Sequence, residues 1–193
     1  MLELFTKSKI RKRIILLFIY NQNTEFYLSE IARMVNTSAG TAQRELNRLL
    51  NIDFIIFQKR ANLNIYMLNK KYSLIEEVEA IVRKTFGVEV ELRKELSKII
   101  NITFAFLFGS YVKGEFKSES DLDLFVIGEM DEDQVFKAVQ KVENLIGKEI
   151  NYHIADKSEF SKKCKNSFFH KEIIQNYILL IGSEDEFRRL VEF

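Results

Sequence analysis

Gly109-Ser110 and, ten residues further on, Asp121-Leu122-Asp123 are the residues whose types and spacing could do chemistry. Glycine lets a backbone approach a ligand closely. The Ser110 N–H and hydroxyl are donors at the start of a predicted helix, where the dipole favours anions. Asp121 and Asp123 are two residues apart, which on a strand puts both carboxylates on one face. Charges that close repel each other unless a cation lies between them. One or two carboxylates completed by substrate phosphates form the ligand set of Mg2+, so the pattern points to a metal-bound nucleoside triphosphate.

Two strands must position these groups. Thr103 to Phe108 (TFAFLF) is apolar on both faces, as expected of a buried central strand, and stops at Gly-Ser. Asp121 to Ile127 (DLDLFVI) alternates as a second strand. Asp131 to Ile146 reads as an amphipathic helix with acids at its start, where the dipole favours them, and Lys148 to Ile154 as a third strand after Gly147. The alternation of strands and helices predicts a small α/β sheet. Ser158–Lys165, Lys171–Leu180 and Glu184–Phe193 are predicted as helices covering it. Tyr111 and Phe116 flank the glycine loop, either to stack on a base or to anchor the loop in the core. His153 is expected to be a partly buried, hydrogen-bonded strand residue, contact with the nucleotide being the alternative, and His170 is expected to be structural.

The run Gly109 to Leu124, GSYVKGEFKSESDLDL, resembles the signature of the DNA polymerase beta superfamily of nucleotidyltransferases, most closely its minimal members. It has the Gly-Ser, a basic residue (Lys113) before a second glycine (Gly114), and then Ser-Asp-x-Asp from Ser120. The resemblance covers Thr103 to Ile154. It implies that Gly109, Ser110, Lys113 and Ser120 hold the triphosphate. It further implies that Asp121 and Asp123 bind Mg2+, with a two-metal site open to them, for transfer of a nucleoside monophosphate from an NTP, ATP for preference, to a hydroxyl acceptor. The superfamily places a third carboxylate on the third strand, completing the metal site and serving as base. Here that position holds Asn151. Glu149 lies two residues away on the same face and is the substitute counted as catalytic beside Asp121 and Asp123; the other reading makes it a solvated or paired strand residue. The departure leaves acceptor activation open. The alternative function is therefore a transcriptional regulator whose second domain binds nucleotide without efficient catalysis.

The amino-terminal half carries other signals. Ser8 to Tyr20 has helical apolar spacing at Ile10, Ile14, Leu17 and Phe18, with basic residues on its early turns. Tyr27 to Val35 reads as a short helix, broken by Asn36-Thr37-Ser38-Ala39-Gly40 and followed by a second helix to Leu50 that buries Ala42, Leu46 and Leu49. Phe54–Gln58 and Asn64–Leu68 then make a hairpin around Lys59 and Arg60. The run LSEIARMVNTSAGTAQRELNRLL resembles the core of a winged helix-turn-helix domain. The resemblance implies contacts to double-stranded DNA from Ser38, Thr41, Gln43, Arg44 and Arg48 on the second helix and from Lys59 and Arg60 on the wing. A role as a dimer or protein-docking module is the other option, which would bring a protein acceptor to the active site.

Net charge is +1 over 193 residues, yet Met1 to Lys70 carries 11 basic against 5 acidic residues and the remainder 18 against 23. A basic half beside an acidic one suggests a nucleic-acid module joined to something else, a chance distribution of solvated charge being the bland alternative. One cysteine, Cys164, rules out an internal disulfide and any cysteine-based zinc site. No apolar window reaches transmembrane length, so a cytoplasmic protein without a membrane partner is expected. Residues 1–70 are assigned to the winged helix-turn-helix, 71–100 to a helical linker breaking at Gly87, with a homodimer contact as a second role for its apolar stripe, and 101–193 to a mixed-sheet nucleotidyltransferase-like domain with flanking helices. The fold class is thus α/β in the second domain and α+β over the chain.

Overall fold

In the computed structural model of the chain, residues 7–60, 63–115 and 120–191 are described. Phe116 lies outside them. The chain divides into two compact units, Met1–Gly87 with Asn144–Gly147, and Val88–Glu143 with Lys148–Phe193. The stretch 71–100 is shared between them.

The first unit opens with α1 (Lys9–Tyr20), capped by Ser8, whose hydroxyl accepts the Arg11 N–H. Helical spacing predicts one buried stripe, but Ile14 to Tyr20 are all buried. A helix that is apolar all round is covered all round. Strand β1 (Phe26–Tyr27) leads into α2 (Leu28–Met34), and α3 (Ala39–Leu50) follows, with Ser38 as its cap. Ala42, Leu46 and Leu49 of α3 are buried at the expected 3.6-residue spacing. Glu45, on the same side, is buried too, and its carboxylate accepts from the Arg11 guanidinium at 2.7 Å and from the Ser8 hydroxyl at 3.1 Å. Two strands, β2 (Ile55–Arg60) and β3 (Leu63–Leu68), pair antiparallel in a sheet of order β1-β3-β2. Helix α4 (Ile75–Thr85) completes the unit, and the helical break falls at Phe86-Gly87.

The second unit begins with α5 (Val88–Leu96). Strand β4 (Ile102–Phe108) runs into the single turn α6 (Ser110–Lys113), then β5 (Leu122–Gly128), α7 (Glu132–Ile146) and β6 (Ile150–Ala155). The helices α8 (Lys157–Asn166) and α9 (Phe168–Ile173) precede β7 (Ile178–Ile181) and α10 (Glu184–Val191). Sheet order is β6-β5-β4-β7, antiparallel except for β5 and β6, whose parallel pairing needs the α7 crossover. Strand β4 is central and is buried from Phe104 onward, which explains its unbroken apolar run. Phe104, Phe106, Phe108, Phe125 and Ile127 line one sheet face and pack with Phe160 and Cys164 of α8, Ile173 of α9 and Phe187 of α10. Leu122, Leu124 and Val126, pointing the other way, are equally buried.

The predicted helix over Lys171–Leu180 is corrected here. Ile178–Ile181 is the fourth strand, paired with the edge of β4 through Leu107, Phe106 and Ala105. Four consecutive apolar residues fit a buried helix turn or a short strand equally well, and the unpaired edge of β4 decides between them.

Candidate active site

Phe108, the last residue of β4, pairs with Asp123 of β5, so the chain turns into Gly109 directly beside that carboxylate. Gly109 has φ 77° and ψ −153°, a conformation that L side chains rarely adopt, and a Cβ there would sit 2.2 Å from Asp123 Oδ2. The backbone conformation favours glycine, and a side chain there would displace the Asp123 carboxylate. Ser110 then opens α6, and Gly114 closes it in the left-handed region. Tyr111 is buried and its hydroxyl donates to Glu89 of α5 at 3.1 Å. Of the two roles open to Tyr111, the structure shows the anchor. Lys113 pairs with Glu172 of α9 at 3.0 Å, and that carboxylate raises the Lys113 pKa.

On the other side, β6 runs parallel to β5 and places Asn151 beside Asp123 and His153 beside Phe125. The Asn151 amide donates to Asp121 Oδ2 at 3.3 Å. Asp121 is exposed and Asp123 half-buried. Burial, opposed by the nearby His153 and reinforced by the charge of Asp121, holds the Asp123 carboxyl above the usual aspartate range. Glu149 is exposed just ahead of β6, and its backbone carbonyl accepts the Leu122 N–H at 3.1 Å, next in register to Asp121. His153 differs from expectation: it is exposed, and aromatic rings are its neighbours. Its ring stacks on Phe125 at 5.7 Å and 26°, and the ring of Phe169 stands 5.7 Å away at 64°. Phe169 was not legible as a site residue, because its proximity depends on how α9 folds back. His170 is buried and bonded to Ser167, a structural place.

Among the described residues, no three His, Cys, Asp or Glu side chains gather as a metal cluster. The donors present at Asp121, Asp123 and Asn151 are oxygens, apart from the amide nitrogen, and the repulsion between a half-buried carboxylate and its charged neighbour is what a hard divalent cation would relieve. The residues therefore fit such an ion.

The nucleotidyltransferase domain model matches residues 89–180, from α5 into β7. A Methanocaldococcus jannaschii protein named "Putative protein adenylyltransferase" is 31% identical over 101 residues, which are 94% of that protein and 52% of this chain. The chain belongs to the nucleotidyltransferase family. Asp121, Asp123 and Asn151 all lie inside the nucleotidyltransferase match, and so does most of β7. Two solved structures are more distant. A toxin-antitoxin with AMP-PNP is 20% identical, covering 53% of this chain and 80% of its own with a TM-score of 0.41. A tri-AMPylated Shewanella oneidensis HEPN toxin in complex with MNT antitoxin is 16% identical, covering 54% and 77%, with a TM-score of 0.37.

The residues expected to touch DNA are all described, and several are engaged within the first unit. The Ser38 hydroxyl caps α3, accepting the Thr41 N–H at 3.2 Å, and Arg44 donates to Thr41 Oγ1 at 3.2 Å. Gln43 accepts from Tyr66 and donates to Asn47. Arg48 pairs with Glu45 at 3.3 Å, and Arg60 grips Glu25 through two bonds of 2.7 and 2.9 Å. Lys59 is exposed on β2. No helix among the described residues is long and apolar enough to cross a membrane.

Proposed function

We propose that the second unit transfers a nucleoside monophosphate, with ATP the preferred donor, to a hydroxyl acceptor in a Mg2+-dependent reaction. The observation that carries this reading is the packing of Asp123 onto Gly109, which puts the acidic pair beside the Gly-Ser turn. Gly109, Ser110, Lys113 and Ser120 would hold the outer phosphates. Asp121 and Asp123 would hold the cation, which supplies charge neutralisation at the reacting phosphate when bound. The acceptor oxygen bonds to the α-phosphorus, the bond to the β-phosphate bridging oxygen breaks, and pyrophosphate leaves. The acceptor proton needs a base. Asn151 has none to offer, so Glu149, backed by its register next to Asp121, is the proposed one. Likeness to the Methanocaldococcus jannaschii protein adenylyltransferase relative favours a protein hydroxyl as acceptor.

The first unit is proposed to be a winged helix-turn-helix that binds double-stranded DNA. Two short helices around Val35–Ser38 followed by a two-stranded hairpin support that reading. A second reading of the whole chain, a regulator that senses nucleotide without efficient turnover, is favoured by one observation. The amide of Asn151, bonded to Asp121, occupies the place of a proton acceptor.

Calorimetric titration with ATP and with a non-hydrolysable analogue tests the site. Binding should require Mg2+ and should be lost in both Asp121→Ala and Asp123→Asn while their circular dichroism stays unchanged. Binding that survives both substitutions would remove the acidic pair from the site.

A further inference from the structure

The acidic pair and the Gly-Ser turn account for phosphates and a cation, but nothing assigned so far receives the base of the nucleotide. One step along β6 from Asn151, on the sheet face that Asp123 shares with Phe108 and Phe125, stands His153, with Phe169 of α9 beside it. His153 is exposed and Phe169 is 40% exposed, beside a cluster in which Phe106, Phe125 and Phe160 are buried. The His153 ring lies nearly parallel to Phe125, which backs it, and the ring of Phe169 rises at 64° from it. Phe108, itself buried, closes the base of the corner, 5.8 Å from Phe169 and 6.2 Å from His153. A floor and a wall of aromatic rings at this angle let a planar ring stack on one and meet the other edge-on, the two geometries that aromatic quadrupoles favour.

We infer that the corner formed by His153 and Phe169 is the nucleobase platform of this site. The inference rests on the nucleotide reading above. Two observations favour a base over an aromatic group of the acceptor. Phe169 and Glu172 lie three residues apart on α9, hence on neighbouring positions of one face, and Glu172 bonds Lys113 on the phosphate turn. The same short helix therefore borders both the phosphate end and the aromatic corner. Asp121 and Glu149 are exposed just ahead of β5 and β6, four residues before Phe125 and His153 respectively, and that rim is left for the acceptor. A stacking corner without a recognised hydrogen-bond pattern would prefer purine over pyrimidine by ring area rather than by base identity.

The test compares ATP with inorganic tripolyphosphate, both with Mg2+, as ligands of the full chain by calorimetry. Phe169→Ala should weaken binding of the non-hydrolysable ATP analogue about tenfold and leave tripolyphosphate affinity unchanged, His153→Ala should weaken the ATP analogue more than tripolyphosphate, and Phe169→Trp should retain the ATP affinity. Equal losses for both ligands in Phe169→Ala, or an ATP affinity untouched by both alanine variants, would overturn the platform. If the unaltered protein binds tripolyphosphate and ATP equally tightly, the platform is wrong while the phosphate site stands. If it binds neither, the nucleotide reading falls and the platform with it.

Discussion

Asn151 stands beside Asp123 in the parallel register and gives its amide to Asp121. A carboxylate at that place would add a cation ligand and a proton acceptor; a carboxamide supplies neither a charge nor a basic site. On the proposed reaction, then, acceptor activation is the slow step, and a single change should expose it. Asn151→Asp is expected to raise Mg2+-dependent transfer about a hundredfold, the low end of what a positioned base contributes, roughly 10²–10⁴-fold. Glu149→Gln should lower it in the parent protein. Measuring label incorporated from α-labelled ATP into acceptor, or pyrophosphate released, in the two variants checks this. An unchanged rate in both would mean that neither side chain touches the rate-limiting step.

Between elements, a buried ion pair ties α1 to α3 of the first unit. Arg11 and Glu45 are both buried, 34 residues apart in sequence, and bonded at 2.7 Å. Burial pushes the Glu45 pKa up, but the bonds from Arg11 and Ser8 and the charges of Arg11 and Arg48 outweigh it, and the carboxyl sits below its ordinary value of 4.5. A lowered carboxylate pKa stabilises the fold above the unfolded value and loses that contribution as pH falls through the folded value. The first unit should therefore weaken in acid below about pH 4.5. Glu45→Ala removes the carboxylate that the buried Arg11 guanidinium meets, and urea unfolding of the full chain should show roughly 3 kcal/mol of lost stability. A loss below 1 kcal/mol would mean that water reaches Arg11 readily. The pair also has a bearing on function, since it draws Arg11 into α1–α3 packing and away from external phosphates, while Arg48 meets the same carboxylate from the exposed side.

For the molecule as a whole, the proposed DNA-binding role of the first unit has to be carried by fewer cations than the basic balance of residues 1–70 suggests. Arg11 and Arg48 meet Glu45, and Arg60 meets Glu25. Arg44 and Lys59 are exposed and point the expectation toward a modest number of phosphate contacts. Affinity for duplex DNA should fall as salt rises, with a slope that drops by about one for each of Arg44→Ala and Lys59→Ala. Fluorescence anisotropy across a salt series reads this directly. No tight binding even at low salt would assign the first unit to protein docking instead.

What the sequence alone determined is whatever local spacing encodes. The buried set Ala42, Leu46 and Leu49 follows from the 3.6-residue period of α3, the helical break at Gly87 was legible in the chain, and β4 could be read as a central strand from its unbroken apolar run. The order Gly-Ser, basic residue, Gly, Ser-Asp-x-Asp placed the chain near the nucleotidyltransferases before any geometry was known. Tertiary structure decided the rest, because those features depend on residues far apart in the chain being brought together. Ile178–Ile181 became a strand only because β4 had an edge to pair with, Glu45 became a buried acid only because Arg11 met it, and Phe169 reached His153 only through the return of α9. The closeness of Asp123 to Gly109 belongs to the same class: the sequence holds the glycine and the aspartate, and antiparallel pairing of β4 with β5 puts one beside the other.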